Sequence, residues 1–219
     1  WAYFGGAYRL SFNYGWGVVR MPFRIMQPQY WHSSPITPDE LLYENILWSL
    51  PLGKGDLSSS NTLVQHCRDW LDHPSYDAYW KEISDEEHFD KIKVPLYTQG
   101  GWFDIFLAGT IRGYEGVRAK GSPEAKKAVK MWIGPWGHGP SQKFGEVDFG
   151  ETANLTHPPR ELRWYNRYLK GEQNGVDQEP PVEIFYMGAN KWKGHEDWPI
   201  PGTQFKPLYL GGNGKANSL

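Results

Sequence analysis

The spacing of apolar residues predicts a helical first part of the chain. Five apolar residues recur at i, i+1, i+4, i+7 and i+8 and define one face of a helix that ends before Pro74. They are Leu63, Val64, Cys67, Trp70 and Leu71. Thr37-Pro38-Asp39-Glu40 combines an N-cap, a proline at the first helical position and an acidic residue at the third, and predicts a helix as far as Leu50. Weaker helical patterns cover part of residues 8–27, residues 75–80 with Ser75 as the cap, and residues 84–87.

After residue 90 the pattern changes to short apolar runs that alternate with helices. Residues 92–98 and 129–133 are apolar runs of strand length, and glycines follow each of them. Helical spacing covers residues 105–119 between the two runs and residues 158–170 beyond them. The second of these helices carries Leu162, Tyr165 and Leu169 on one side. The order strand, helix, strand, helix predicts an α/β fold with a parallel sheet covered by helices.

The last part of the chain shows no helical pattern. A polar linker at residues 172–179 leads to Pro180-Pro181. Residues 182–186 and 207–210 have the composition of strands. We therefore place a domain boundary near residues 172–181 and expect β structure beyond it.

The composition argues against several classes of protein. The 219 residues correspond to one or two domains. Lys and Arg number 23 against 25 Asp and Glu, so the chain has no basic surplus for binding nucleic acid. Cys67 is the single cysteine, which excludes an internal disulfide, and no apolar run approaches the ~20 residues of a membrane helix. The start has no methionine and no signal-peptide pattern, and we expect both ends to be cuts through a longer chain.

Nothing in the sequence predicts a metal or a cofactor. The seven histidines include no His-x-x-x-His pair, and His73 is flanked by Asp69 and Asp77 without a second histidine close by. Neither a phosphate-binding loop nor a dinucleotide fingerprint occurs. The 12 tryptophans, 25 glycines and 17 prolines indicate instead a loop-rich protein with aromatic-lined surfaces or pockets.

The residues best placed for chemistry follow the two predicted strands of the sheet. The first strand leads to Asp104 through Gly100-Gly101-Trp102-Phe103, and the second leads to His138 through Gly134-Pro135-Trp136-Gly137. Functional groups of open parallel sheets lie beyond the carboxyl ends of the strands, so both side chains are expected at one crevice. A carboxylate on one imidazole nitrogen leaves the other nitrogen free to take a proton from a nucleophile, and Asp before His is the α/β-hydrolase order. The alternative is that Asp104 caps the next helix and His138 is an ordinary loop histidine.

The nucleophile is not found in the chain. The Gly-x-Ser-x-Gly elbow of α/β-hydrolases does not occur. Ser11 lacks flanking glycines, and Ser75 has the position of a helix cap. Ser141 is three residues from His138, and Cys67 lies on an apolar helix face. If the chemistry is that of a triad, the serine is expected upstream of the first residue.

An ordered set of motifs runs through nearly the whole chain. Its members are residues 5–10, 73–80, 94–97, 100–104, 133–139, 168–171 and 181–188, followed by Trp192 and Trp198-Pro199. Together they resemble the X-Pro dipeptidyl-peptidase-like serine hydrolases, a family that includes cocaine esterase, glutaryl-cephalosporin acylases and α-amino-acid ester hydrolases. Each motif alone is unspecific, whereas the ordered set is specific.

The resemblance implies a domain organisation and a site. Residues 1–90 would belong to a helical cap, residues 91–171 to the last part of an α/β-hydrolase domain, and residues 172–219 to the opening strands of a C-terminal β jelly roll. Asp104 matches the acid of the family's triad and His138 its base, whereas the serine elbow and the oxyanion-hole tyrosine belong to a segment that is not in this sequence. The residues expected to contact the substrate are Phe106, Trp102 and Trp136.

The expected partners follow from the same interpretation. They are a small acyl ester or amide substrate and the remainder of the protein's own chain, with no metal, cofactor, nucleic acid or membrane; a homo-oligomer is left open. Two alternatives remain at this stage. One is a noncatalytic aromatic-rich binding module, for instance for carbohydrate, and the other is a degenerate hydrolase that lacks its serine.

Overall fold

The computed structural model describes residues 65–139, 141–154 and 160–209. It also describes seven isolated positions, which are Tyr3, Phe4, Ala7, Tyr8, Asn13, Leu50 and Pro51. The chain divides into two compact units, Trp1–Glu87 and His88–Leu219. The helices predicted within residues 8–27 and from residue 37 to about residue 50 lie almost entirely outside the described residues.

The first unit contains the predicted helix with one apolar face. Strands β1 (Tyr3–Phe4) and β2 (Ala7–Tyr8) form a short antiparallel pair. Helix α1 (Gln65–Asp72) follows and buries Cys67, as its position on the apolar face predicted. The burial of this thiol agrees with a structural role for the single cysteine.

The second helix of this unit, α2 (Ala78–Ile83), begins later than predicted. Its N-cap is Asp77, whose carboxylate accepts a hydrogen bond from the Tyr79 N–H at 3.0 Å. The assignment of Ser75 as the cap is wrong, because the Ser75 carbonyl accepts the Asp77 N–H in a turn that precedes the helix. The other carboxylate oxygen of Asp77 contacts His73 Nδ1 at 2.6 Å, and this hydrogen bond lowers the pKa of Asp77. Residues 84–87, predicted as a capping box, contain a single 3₁₀ turn, Asp85–Glu87.

The second unit contains a four-stranded sheet with helices against it. Its elements are β3 (Tyr97–Gly101), α3 (Leu107–Lys120), α4 (Pro123–Ala128), β4 (Lys130–Gly134), β5 (Lys143–Phe144), β6 (Val147–Asp148), α5 (Arg160–Lys170), β7 (Val182–Tyr186) and β8 (Lys191–His195). The strand order is β3-β4-β7-β8. The first two pairings are parallel and the last is antiparallel. The predicted parallel sheet with covering helices is confirmed.

Strand β3 begins five residues after the start of the predicted run. Pro95 lies in that run and cannot donate a ladder hydrogen bond, so regular pairing starts only beyond it. Ile92 and Leu96 still pack against the core, and the Leu96 carbonyl accepts the Lys130 N–H at 2.9 Å. The hydrophobic run was therefore identified correctly as part of the core, but regular strand pairing begins only at Tyr97.

The core lies on both faces of strand β4, whose five residues are all buried. Met131 and Ile133 point to the face covered by α3, where they meet Tyr114 and Val117. The opposite face carries Trp132, which packs edge-to-face on Trp136 and beside Trp192. Burial on both faces is typical of a central strand in a parallel sheet.

Strands β7 and β8 continue the sheet across the expected domain boundary, which itself stays a prediction. Residues 172–219 were assigned to a separate β domain, yet Met131 pairs with Val182 and Ile133 with Ile184, so β7 and β8 extend the α/β sheet. Strand β8 was not predicted. Of the strand predicted at residues 207–210, the described part, up to Tyr209, forms no strand. The jelly roll itself stays a prediction.

Helix α5 was predicted over residues 158–170, and the structure describes it as Arg160–Lys170. Leu162, Tyr165 and Leu169 are exposed, and Trp164 is buried against the sheet. Three arginines of the helix bind carboxylates of the following segment. The pairs are Arg160 with Glu183, Arg163 with Glu179, and Arg167 with Asp177. Within the described ranges, no helix has both the length and the apolar character needed to cross a bilayer.

A polar contact joins α3 to the segment after β8. The buried Tyr114 hydroxyl donates to Asp197 Oδ1 at 3.0 Å, and Arg118 Nε contacts Oδ2 at 3.3 Å. Burial opposes the ionisation of Asp197, but the Trp198 N–H, the Tyr114 hydroxyl and the Arg118 charge together lower the pKa of its carboxyl. Folding therefore stabilises the ionised form of the Asp197 carboxyl relative to its protonated form.

Asp197→Asn should destabilise the protein in a pH-dependent way. We expect the free energy of unfolding to fall by about 1 kcal/mol near neutral pH. The loss is modest because Asp197 is partly exposed and solvent screens its hydrogen bonds. Because the folded-state pKa is lowered, this contribution is complete above the unfolded pKa of about 4 and is lost as the pH falls through the folded value. Thermal unfolding across this pH range measures it. Glu196→Gln, which removes a charge from the exposed neighbour, is the control, and an equal effect of both variants would contradict the assignment.

Candidate active site

The carboxyl ends of β3 and β4 lie side by side and remain bonded beyond the sheet. The ladder ends with the pair Gly101 and Gly134. The Trp102 N–H then donates to the Gly134 carbonyl and the Phe103 N–H to the Trp136 carbonyl, both at 2.9 Å. The two loops that carry the predicted acid and base are thus held together through their main chains.

This approach requires glycine at the end of β3. A Cβ atom on Gly101 would lie 2.1 Å from the Trp136 carbonyl oxygen, and one on Gly134 would lie 2.4 Å from the Trp136 ring. Any side chain at Gly101 therefore collides with main-chain atoms that cannot move without breaking the contact. This close approach explains why Gly101 and Gly134, at the ends of the two strands, carry no side chain.

Asp104 and His138 meet at the same edge of the sheet. His138 Nδ1 lies 3.3 Å from Asp104 Oδ1. The Asp104 side chain is 16% exposed and that of His138 is 68% exposed. The structure therefore brings together the two residues that the sequence placed at neighbouring strand ends. The distance is slightly longer than the usual hydrogen-bond range of about 2.6–3.2 Å.

Asp104 also supports the turn that leads into α3. Its Oδ1 accepts the Phe106 N–H at 2.9 Å, and its carbonyl accepts the Leu107 N–H at 3.1 Å. The N-cap of α3 is Phe106, so the alternative interpretation of Asp104 as the cap of this helix is wrong. One carboxylate oxygen therefore serves both this turn and His138, and the main chain of the turn sets the direction of the carboxylate.

The three predicted substrate-contact residues fall into two groups. Phe106 lies at the site, where its half-buried ring meets the His138 imidazole edge-to-face at 5.0 Å. Trp136 is 2% exposed, and its indole N–H donates to the Ala153 carbonyl. Trp102 is half-buried, and its indole N–H donates to the Phe185 carbonyl at 3.0 Å. Both indole N–H groups therefore bond to main-chain carbonyls within the fold, and contact of either ring with a substrate stays a prediction.

A β-hairpin beside His138 was missed in the sequence. Strands β5 and β6 pair antiparallel around Gly145, which has φ of +58°, and Phe144 of this hairpin stacks on Phe103 at 4.0 Å. A glycine at the first position of a two-residue turn, here followed by Glu146, is a hairpin signal that could have revealed it. The exposed Phe103, Ile105 and Phe144 give the surroundings of the Asp104–His138 pair an apolar character.

The described residues contain no nucleophile at this site. The Ser141 hydroxyl accepts the Lys143 N–H at 3.1 Å and so supports the hairpin, and Cys67 is buried in the other unit. Ser11 lies outside the described residues. In the part of the chain that the structure describes, there is also no group of three or more His, Cys, Asp or Glu side chains that could hold a metal ion.

A parallel sheet with a carboxylate and an imidazole at adjacent strand ends is of the α/β-hydrolase type. The model of the X-Pro dipeptidyl-peptidase (S15) family matches residues 1–140, and that of the X-Pro dipeptidyl-peptidase C-terminal non-catalytic domain matches residues 174–219. The chain belongs to the X-Pro dipeptidyl-peptidase family of serine hydrolases.

Individual relatives agree with this assignment. The chain is 33% identical over 154 residues to cocaine esterase of Rhodococcus sp. (strain MB1 Bresler), a match that covers 68% of this chain and 25% of the esterase. Its fold is similar to the crystal structure of an aminopeptidase from a marine sediment Thaumarchaeota archaeon. The TM-score is 0.60 and the identity 26%, and the match covers 78% of this chain and 28% of that protein. The chain thus spans about a quarter of the length of each relative.

Gly101→Ala should destabilise the protein by about 3 kcal/mol. This value is at the upper end of the usual cost of adding an atom to a packed region, because the added Cβ clashes with main-chain atoms. The control is Gly113→Ala in α3, where a Cβ atom would meet its nearest neighbour at 3.9 Å. That change should be neutral or stabilise by about 0.5–1 kcal/mol, as alanine replaces glycine within a helix. Chemical denaturation measures both, and tolerance of Gly101→Ala would show that the two loops are not held as described.

Proposed function

We propose that the protein to which this chain belongs is a serine hydrolase that cleaves acyl ester or amide bonds through an acyl-enzyme. In this proposal Asp104 is the acid and His138 the base of a triad, and the nucleophilic serine is supplied from upstream of Trp1. The observation that carries the proposal is the 3.3 Å contact between Asp104 and His138 at the ends of neighbouring parallel strands. Acid before base in the chain is the order of α/β-hydrolases.

The geometry fits the division of labour in a triad. Asp104 accepts a hydrogen bond from Nδ1 of His138 and so places the free electron pair on Nε2. The His138 side chain is exposed, which leaves Nε2 open to a serine hydroxyl from another segment. Nε2 takes the serine proton as the serine oxygen attacks the carbonyl, and then gives this proton to the leaving alcohol or amine. In the second half of the reaction Nε2 takes a proton from water as the water attacks the acyl-enzyme. It returns that proton to the serine oxygen as the acid is released.

Two observations favour a hydrolase over an aromatic binding module. A tryptophan platform for carbohydrate needs exposed indole faces, whereas each tryptophan of the described residues is buried or half-buried, and Trp132 and Trp136 pack on one another. The relatives are named as an esterase and an aminopeptidase, which act on ester and amide bonds. The apolar surroundings of His138, with Phe106 against its ring, suit a small substrate with an apolar acyl or leaving group.

Asp104→Asn and His138→Ala should each remove most of the activity of the full-length protein. We expect Asp104→Asn to lower kcat by about 10⁴-fold, because the amide stabilises the wrong imidazole tautomer. The variant should still fold, since the amide oxygen can accept the Phe106 N–H. Steady-state hydrolysis of a nitrophenyl ester measures the effect. Asp90→Asn, an exposed aspartate of the same unit, is the matched control. Near-normal kcat in Asp104→Asn would leave this residue only its structural role in the turn before α3.

Residues 1–219 alone should have no hydrolase activity. His138 can accept a proton, but the described residues place no hydroxyl beside it to supply one. An oxyanion hole, which contributes roughly 3–4 kcal/mol per donor, is expected from the same upstream segment as the serine. A fluorophosphonate probe and a nitrophenyl ester test the isolated chain together. Stoichiometric labelling of a serine that disappears in His138→Ala would show that the nucleophile is in this chain after all.

A further inference from the structure

We propose that Phe144 is a positioning residue for His138: by stacking on Phe103 and covering Gly137, it fixes the loop of the base against the loop of the acid. The inference rests on the proposed function, because it assigns a role in the geometry of the Asp104–His138 pair. Phe144 lies on the β5–β6 hairpin, and the proposed triad mechanism assigns it no role.

The first contact joins Phe144 to the acid loop. Its ring lies parallel to that of Phe103, with 4.0 Å between the centroids and 6° between the planes. Phe103 precedes Asp104 directly, and its N–H donates to the Trp136 carbonyl at 2.9 Å. Phe103 therefore contacts the loop of the base through its main-chain N–H, and it contacts Phe144 through its ring.

The second contact joins Phe144 to the base loop. A Cβ atom on Gly137 would lie 3.1 Å from Cε2 of the Phe144 ring, so the ring sits directly over this glycine. On the other side of His138, a Cβ atom on Gly139 would meet nothing within 4 Å. The main chain that carries the imidazole is thus in contact with the ring on one side and open on the other.

The hairpin itself is anchored, so that Phe144 provides a fixed surface. Phe144 pairs with Val147 across the hairpin, and Gln142 Nε2 donates to Asp148 Oδ1 at 3.0 Å. The next residue along the chain, Phe149, is buried against Phe185 in the core. The ring is therefore connected over a short stretch of chain to the packed face of the sheet.

His138 needs such a support because few groups restrain its side chain. It is 68% exposed, and its contact with Asp104 is 3.3 Å long. Phe103 and Phe144 are themselves 41% and 42% exposed. Loss of the Phe144 ring should therefore change the position of the base far more than it changes the stability of the fold.

The test compares Phe144→Ala with Phe144→Tyr and Val147→Ala in the full-length protein, by steady-state hydrolysis of a nitrophenyl ester. Phe144→Ala should lower kcat roughly 10- to 100-fold, the scale of a displacement of about 1 Å in a catalytic group. KM should stay near its original value, because the lost interaction positions the base and does not bind substrate. Phe144→Tyr keeps the stacked ring and should restore kcat, and Val147→Ala removes an exposed side chain of the same hairpin and should have no effect.

The two glycines that flank His138 give a second, independent test. Gly137→Ala should shift the Phe144 ring by a few tenths of an ångström and lower kcat, whereas the methyl group of Gly139→Ala enters open space and should leave kcat unchanged. This pair decides the question if Phe144→Ala fails to fold, which its thermal unfolding curve would show.

The outcomes separate this inference from the proposed function. Normal kcat in both Phe144→Ala and Gly137→Ala, or equal losses in Phe144→Ala and Val147→Ala, would overturn the positioning role. A rise in KM with unchanged kcat would overturn it as well, since it would place Phe144 in substrate binding. Normal kcat in His138→Ala would instead refute the proposed function, and the inference with it.

Discussion

The close approach of two main chains at the ends of β3 and β4 is the constraint on which the candidate site depends. The Gly101 Cα lies so near the Trp136 carbonyl that no side chain fits between them. The Phe103 N–H bonds to that same carbonyl, so the pairing of the sheet continues into the loops. Asp104 and His138 follow within three residues of this contact, so the main chain brings the two loops together and the side chains then complete the approach.

Much of the second unit could be predicted from local sequence signals. Helix α3 and strand β4 follow from the spacing of their apolar residues, since both elements bury a continuous hydrophobic face. The meeting of Asp104 and His138 follows from topology, because parallel strands that are neighbours in the sheet end at the same edge. Neither inference needed information on distant contacts.

The sequence was least informative where contacts between distant residues decide the outcome. Trp102 donates its indole N–H to a carbonyl 83 residues away, and no local pattern indicates this contact. Helix α5 carries Leu162, Tyr165 and Leu169 on one side, yet these side chains are exposed. Arg160 of the same helix bonds instead to Glu183 on β7 and lies over the Trp132 ring. Strand β8 has a polar, glycine-containing sequence and becomes a strand only through its pairing with β7.

Because one Asp104 oxygen accepts two hydrogen bonds, replacement of Asp104 has a greater structural cost than replacement of His138. The carboxylate supports the turn before α3 as well as the imidazole, whereas the His138 side chain is mostly exposed. In the proposed triad, exchange of the histidine would remove the base and leave the fold nearly intact, but exchange of the aspartate for a residue without a side-chain acceptor would also weaken this turn. Lineages that abandon catalysis on this scaffold are therefore expected to lose the base earlier than the acid. An aspartate retained without its histidine would mark such a lineage.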